Sequence, residues 1–96
     1  MSLDQEVAFS FQQVTVGGTA VGLVSNNGVT FGFRALITCE TNQVRFRYDG
    51  GAPTSSAGHL LNVGDILVIE GRYNVANFQA IATGANGTLM VTLETM

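Results

Sequence analysis

The sequence predicts an all-β fold in which two antiparallel sheets pack as a sandwich, with a jelly-roll or other Greek-key topology. Twelve glycines divide the 96-residue chain into short runs rich in β-branched and aromatic residues, at the spacing typical of sandwiches and barrels. Apolar and polar residues alternate within these runs, and no long window keeps a helical period. The length suits a single domain that covers residues 1–96.

The expected strands lie between turns of glycine, asparagine and serine. They are Val7–Val16, Thr19–Val24, Val29–Glu40, Val44–Tyr48, Ile66–Glu70, Phe78–Thr83 and Thr88–Glu94. One short helical turn is expected at Arg72–Gln79, and Gly50–Gly64 is expected to be a long ordered loop.

Strict alternation assigns the two faces of the strands, because successive side chains point to opposite sides of a sheet. The residues expected in the core are Phe31, Phe33, Ile37, Phe46, Leu67, Ile69, Phe78, Val91 and Leu93. Tyr48 and Cys39 have the same inward parity as their neighbours, whereas Arg34, Arg45 and Arg47 point outward.

Two hairpins are expected from this parity, since directly paired residues share a face. A four-residue loop after Glu40 pairs Glu40 with Arg45 and Cys39 with Phe46. A two-residue turn at Thr41-Asn42 would instead pair Arg34 with Asp49, but it lacks the glycine that such turns favour. The pairs expected in the last hairpin are Phe78 with Leu93, Ala80 with Val91 and Ala82 with Leu89.

The charge distribution argues against nucleic acid and membrane partners. The formal net charge is −3, with seven acidic residues and four cationic ones, all of them arginine. Direct binding to nucleic acid needs several cations on one face, and an anionic membrane needs a basic patch. The acidic, polar start lacks the form of a signal peptide, and no apolar stretch is long enough to span a membrane. Residues 1–3 are also compatible with a cloning remnant.

Catalytic and metal sites find no support in the motifs. Cys39 is the only cysteine and His59 the only histidine, so neither a cysteine zinc cluster nor a multi-histidine metal site is available. Cys39 is interpreted as a buried thiol and Ser55-Ser56 lies outside any nucleophile elbow. We therefore expect no enzymatic activity and no cofactor.

The most distinctive segment runs from Val44 to Glu70. Its ordered positions are Arg45, Phe46, Arg47, Tyr48, Asp49, Gly50, Pro53, Thr54, Gly58, His59, Leu61, Gly64 and Asp65. A second group follows at Asn77, Phe78, Ala80, Ile81, Thr83, Gly84 and Ala85. This combination resembles small structural proteins of tailed bacteriophages and prophages, although Asn86-Gly87 departs from the polar or acidic pair usual there.

The resemblance covers roughly the C-terminal half of the chain and implies a non-enzymatic structural subunit of a virion. Such a subunit would assemble in the host cytoplasm with copies of itself and with other virion proteins. It implies no catalytic residues, and residues 1–32 contribute nothing specific to it.

The candidate residues are ones expected to order the long loop or to form an interface between subunits. They are Arg45, Arg47, Asp49, Pro53, His59 and Asp65. For the arginines, the simplest interpretation is cross-strand pairing with Glu40 and Asp49, and the alternative is an intersubunit contact. For His59, the simplest interpretation is a hydrogen bond to a backbone carbonyl that orders the loop.

Self-association is expected because only 11% of the residues are charged, and because lysines that would protect open strand edges are absent. A closed ring or a trimer is the expected form. Two other functions stay open: a carbohydrate- or receptor-binding β-sandwich, and a small cupin-like enzyme. The single histidine argues against the enzyme, and the scarcity of exposed aromatic residues argues against glycan binding.

Overall fold

The structure, a computed structural model, describes residues 7–23 and 33–95. Alternating apolar residues form strands there, and one short helix precedes the last two strands. The elements are β1 Val7–Val16, β2 Val21–Gly22, β3 Arg34–Glu40, β4 Val44–Arg47, β5 His59–Leu61, β6 Ile66–Glu70, α1 Arg72–Asn77, β7 Gln79–Ala82 and β8 Gly87–Thr95.

The strands form two antiparallel four-stranded sheets, in the orders β1-β8-β3-β6 and β2-β7-β4-β5. The first strand pairs with the last, the second with the seventh, the third with the sixth, and the fourth with the fifth. These nested pairs describe one long hairpin, and the pairs β3-β8 and β4-β7 roll it into two sheets. This arrangement is the eight-stranded jelly roll, and it confirms the predicted all-β sandwich.

The connections gather at two opposite ends of the sandwich. At one end, the Asn42 amide donates to the Asn86 carbonyl at 2.9 Å, and the Gln43 amide donates to Asn62 Oδ1 at 2.6 Å. We call this the asparagine end. The other end carries α1 and the connection between β4 and β5. The α1 residue Val75 is fully buried there, and the Arg72 guanidinium carbon lies 5.1 Å from the centroid of the Phe33 ring.

One apolar cluster fills the space between the sheets, as the alternation predicts. Its buried members are Val14, Val16, Ala35, Ile37, Cys39, Val44, Phe46, Leu61, Ile69, Val75, Phe78, Ala80, Leu89, Val91 and Leu93. The residues predicted to be buried are confirmed at six positions, whereas Phe33 and Leu67 are half-buried and Phe31 lies outside the described residues. Tyr48 was predicted to point inward, and this is wrong because its side chain is 41% exposed.

The two predicted hairpins are also wrong. Strands β3 and β4 lie in different sheets, as do β7 and β8, so Cys39 pairs with Leu89 rather than Phe46. Phe46 pairs with Ala80 of β7 and with His59 of β5. The physical reason is that a chain crossing from sheet to sheet keeps its apolar residues facing the core, as a hairpin does. Alternation therefore fits either connection.

The predicted strand bounds need smaller corrections. The segment predicted as a loop at Gly50–Gly64 contains the short strand β5, which pairs with β4. The predicted Thr19–Val24 strand is reduced to β2 within the described residues, and positions 24 and 29–32 lie outside them. The predicted helical turn is present as α1.

Replacing Phe46 by alanine should lower the free energy of unfolding by about 3–5 kcal/mol. Its side chain is only 6% exposed, and its ring centroid lies 5.7 Å from that of Phe78, so truncation leaves a cavity between the sheets. Urea denaturation measures the loss. Tyr73→Ala removes an aromatic ring that is 76% exposed and should change stability by no more than about 0.5 kcal/mol. Equal effects of the two variants would contradict the assigned core.

Candidate functional site

The candidate site lies where the folded hairpin turns back on itself. We call the connection between β4 and β5, residues 48–58, the tip segment. It lies at the centre of the run from Val44 to Glu70 that resembles phage structural proteins. Because β4 and β5 are paired neighbours, the side chains at their ends lie beside the tip segment and can contact it.

Arg45 holds the tip segment from the outer side of β4. Its Nε donates to the Ser55 carbonyl at 3.1 Å, and its Nη1 donates to the Gly58 carbonyl at 2.8 Å. Two donors of one rigid guanidinium therefore fix two points of the loop. In the same part of the loop, Thr54 and Ala57 exchange backbone hydrogen bonds of 2.8 and 3.2 Å. Glu40, the predicted partner of Arg45, lies on β3 of the other sheet.

Arg47 forms a two-point ion pair with Asp49 at the start of the tip segment. The Nε–Oδ1 distance is 3.0 Å and the Nη2–Oδ2 distance is 2.7 Å. The Gly51 N–H also donates to Asp49 Oδ1 at 3.2 Å. These bonds favour the ionised carboxylate and lower the pKa of Asp49 to about 2, with the Arg47 hydrogen bond as the largest cause. The same pairing raises the pKa of Arg47.

Pro53 and Gly58 shape the rest of the tip segment. Pro53 is buried, so the segment has an apolar anchor of its own. Gly58 has φ +135°, and a Cβ atom there would lie 3.1 Å from both the Phe46 carbonyl oxygen and Pro53 Cβ. A side chain at position 58 would therefore be strained and would displace Pro53.

An aromatic cluster joins the core to the surface beside the tip segment. The Phe46 ring centroid lies 5.4 Å from that of His59 and 6.4 Å from that of Tyr48. His59 was expected to bind a backbone carbonyl, but the contact that the structure gives it is this ring contact. His59 and Tyr48 are both exposed, and with Arg47 and Asp49 they line an open cleft of about 300 Å³.

Asp65 lies away from the other candidates, at the asparagine end. It closes the predicted turn at residues 62–65, since its Oδ2 accepts from the Asn62 N–H at 2.8 Å and its own N–H donates to the Asn62 carbonyl at 2.9 Å. The turn is tied to the end of β3, because the Gly64 N–H donates to the Cys39 carbonyl at 2.9 Å. Five of the six candidates thus meet at the tip segment, and Asp65 orders a separate turn.

Cys39 is a buried thiol, as predicted. It is free and 1% exposed, and its Sγ lies 3.2 Å from the Asn42 carbonyl oxygen. Burial raises the pKa of the Cys39 thiol, and the nearby Asp65 carboxylate raises it further. A thiol of this kind is a poor nucleophile.

Residues 7–23 and 33–95 contain neither a metal-binding cluster nor a membrane-spanning helix. No three of their histidine, cysteine, aspartate and glutamate side chains lie close enough together to hold a metal ion. Their helical content is α1, and no helix there is long and apolar enough to cross a membrane.

One feature, on the opposite sheet, was not predicted from the sequence. The outward side chains of the sheet β1-β8-β3-β6 include four exposed large apolar residues: Phe11, Leu36, Ile66 and Val68. A signal was present, because the run Ile66-Leu67-Val68-Ile69 is apolar on both faces of β6. Arg34 lies beside them, 3.3 Å from Glu94 and 3.8 Å from Glu70, and not beside Asp49.

Comparison of the chain with protein-family models, curated proteins and solved structures finds no match. Functional inference therefore depends on the side chains described above and on the sequence resemblance.

Replacing Arg47 by methionine should raise the pKa of Asp49 from about 2 toward the ordinary value of 3.8. The variant removes the cation and both donors but keeps the aliphatic stem. Because the folded-state pKa is depressed, the ion pair favours the native state above pH 4 or so, and this effect is lost as the pH falls toward 2. An NMR titration of the Asp49 carboxyl carbon measures the shift. Arg45→Met should leave the pKa unchanged, and an equal shift in both variants would argue against the assigned pair.

Replacing Arg45 by methionine should loosen the tip segment, because the carbonyls of Ser55 and Gly58 lose their shared donor. We expect the Thr54 and Ala57 amides to exchange with solvent about tenfold faster, a change of about 1.4 kcal/mol in local opening. Native-state hydrogen exchange followed by NMR provides the measurement. Arg47→Met is the matched control and should accelerate these amides by less than about threefold. Unchanged exchange in Arg45→Met would show that Arg45 does not order the segment.

Proposed function

We propose that the chain is a non-enzymatic structural subunit of a tailed bacteriophage or prophage virion, and that it acts by self-assembly. The supporting observation is that the residues resembling phage structural proteins form hydrogen bonds and an ion pair that order loops of this fold. Arg45 holds the tip segment, Arg47 pairs with Asp49, and Asp65 closes a turn. The conspicuous polar groups of the run thus satisfy one another or the backbone, as expected for a structural motif rather than a reactive one.

The jelly roll is compatible with this proposal but does not single it out, because the fold occurs in capsid proteins, lectins and cupins alike. The surface adds support for assembly. Four of the eight exposed large apolar side chains in the described residues lie on one sheet face, and exposed apolar patches mark interaction surfaces.

Mass spectrometry of purified particles tests the function. Prophage induction in the source strain, followed by gradient purification, should yield virions that contain the chain in a fixed ratio to the capsid protein. The flanking reading frames should encode portal, capsid or tail proteins. A chain that is made during induction but stays in the soluble lysate, apart from particles, would overturn the proposal.

A carbohydrate- or receptor-binding module is the second candidate, and the cleft beside the tip segment favours it. Tyr48 is exposed there rather than buried, so its ring offers a stacking surface next to the Arg47–Asp49 pair. Sugar rings stack on aromatic faces and bind planar polar groups through their hydroxyls. Binding on a glycan array that is lost in Tyr48→Ala and kept in Tyr73→Ala would favour this function over purely structural assembly.

A further inference from the structure

The outer face of the sheet β1-β8-β3-β6 carries four of the eight exposed large apolar side chains in the described part of the chain. It carries Phe11 at 66% exposure on one edge strand and Ile66 at 69% on the other. Leu36 and Val68 lie between them and are also exposed. The other exposed large apolar side chains are separated from one another: Leu60 lies on β5, Tyr48 just after β4, Val63 in a turn and Tyr73 on α1. We call this sheet surface the outer face.

Strand register arranges the outer face in four parallel rows, each running across the strands. The charged row is Ala8, Glu94, Arg34 and Glu70; the two apolar rows are Phe11, Thr92, Leu36 and Val68, then Gln13, Met90, Thr38 and Ile66; the last row is Thr15, Thr88 and Glu40. The apolar rows therefore lie in the middle, with a charged row on one side and a hydroxyl-rich row on the other.

We propose that two copies of the chain pair through their outer faces, about a twofold axis that runs parallel to the strands. This inference rests on the self-assembly part of the proposed function and names its surface and symmetry. It differs from the ring or trimer that the low charge suggested, because a face that is complementary to itself closes as a pair.

The direction of the axis follows from the charges. An axis parallel to the strands passes between the two central strands, β8 and β3, and places β8 of one copy over β3 of the other. Glu94 of each copy then faces Arg34 of the second copy, and the two contacts lie on either side of the axis at the end of the sheet that carries the charged row. Within one copy these side chains already lie 3.3 Å apart, so the pair of molecules would form an alternating cluster of two arginines and two glutamates.

The other possible axis in the plane of the interface runs across the strands and is unfavourable. It would place the charged row of one copy over the row that contains Glu40 in the second copy. Arg34 would then face Glu40 of the second copy, but Glu94 and Glu70, which already flank Arg34, would approach the same carboxylate, so three acids would share one cation. Like charges brought together and desolvated at an interface cost free energy, so the charges select the first axis.

Side-chain size supports the same arrangement. With the axis parallel to the strands, Phe11 on the edge strand β1 lies over Val68 on the opposite edge strand β6. In the centre, Leu36 lies over Thr92 of the second copy, where a branched residue meets a smaller one. Twisted sheets that pack face to face cross at about 30°, so the central strands make the closest contact.

The area of the outer face predicts an association of moderate strength. Four strands about 4.8 Å apart and about seven residues long give a face of roughly 19 by 23 Å. A surface covered with side chains exceeds this projection, so each copy would bury on the order of 600 Å², below the 800 Å² or so of a standard interface. We therefore expect a dissociation constant in the micromolar range rather than an obligate dimer.

Sedimentation equilibrium over a range of about 1 to 500 μM tests the surface. The wild-type chain should pass from monomer to dimer, and Ile66→Asp should weaken the dimer at least tenfold. Val63→Asp is the matched control, since it places the same charge on a residue that is 57% exposed but lies in the turn before β6. Circular dichroism and the urea midpoint check that both variants are folded.

Mixing two charge variants tests the axis. Arg34→Glu alone would set acids against acids in its own dimer, and Glu94→Arg alone would set cations against cations. In a mixed dimer, both contacts between the copies join opposite charges, although neither chain regains its internal pair. An equimolar mixture should therefore dimerise at least fivefold more tightly than either variant alone at low salt, and the advantage should shrink as salt increases.

The outcomes separate the pairing from the proposed function. A wild-type chain that stays monomeric across the range, or a dimer unaffected by Ile66→Asp, would overturn the outer face as the interface. A mixture no tighter than its components would overturn the axis. A chain that is found in purified virions but is monomeric in solution would support the proposed function and overturn the proposed dimer. A chain that dimerises in solution but is absent from virions would support the dimer and overturn the function.

Discussion

Both sheets of this protein depend on one shared apolar layer, and the rest of the structure follows from filling it. Each strand of the described chain has one face against that layer, so small residues such as Ala35 and Ala80 have to lie near large ones such as Phe46 and Phe78. The layer also reaches the surface, because Phe46 contacts both Phe78 inside and His59 at the cleft. The tip segment is therefore anchored to the core through the strands that border it.

This constraint explains what could be predicted from the sequence. Alternation reports which side of a strand meets the apolar layer, and it placed Ile37, Phe46 and Leu93 correctly. It does not report which strand lies alongside, since Cys39 faces the core whether its neighbour is Phe46 or Leu89. That choice depends on whether the chain turns within a sheet or crosses to the other one, and a turn such as Thr41-Asn42-Gln43 allows both. Tyr48 fails for a related reason: it keeps inward parity but lies just beyond the end of β4, where the layer opens to solvent.

The candidate residues were recognisable by type, but their roles required three-dimensional information. Arg45 and Arg47 are two residues apart on one face of β4, and the sequence suggested the same outward role for both. In the structure the two arginines have different partners. The chain returns beside β4 and brings backbone carbonyls to Arg45, whereas Arg47 binds Asp49, two residues further along the chain. A loop carbonyl has no signature in a sequence, so a bond from arginine to backbone could not be foreseen. The Arg47–Asp49 pair is local to the chain, whereas the expected pairings were cross-strand ones with Glu40 and Asp49.

The few charged side chains of the outer face lie at its ends and not in its centre. Natural sandwiches commonly protect an open sheet with lysines, which keep solvent on the outward side and discourage edge pairing. Here the central rows of the face carry apolar and hydroxyl side chains and the Gln13 amide. The charges are restricted to its two ends, with Arg34 placed between Glu70 and Glu94. An arrangement in which attraction is central and charge is peripheral resembles the core and rim of a protein interface. Desolvating the Arg34 cluster costs about as much as its attraction returns, so in such a face the apolar rows supply affinity and the charges decide orientation.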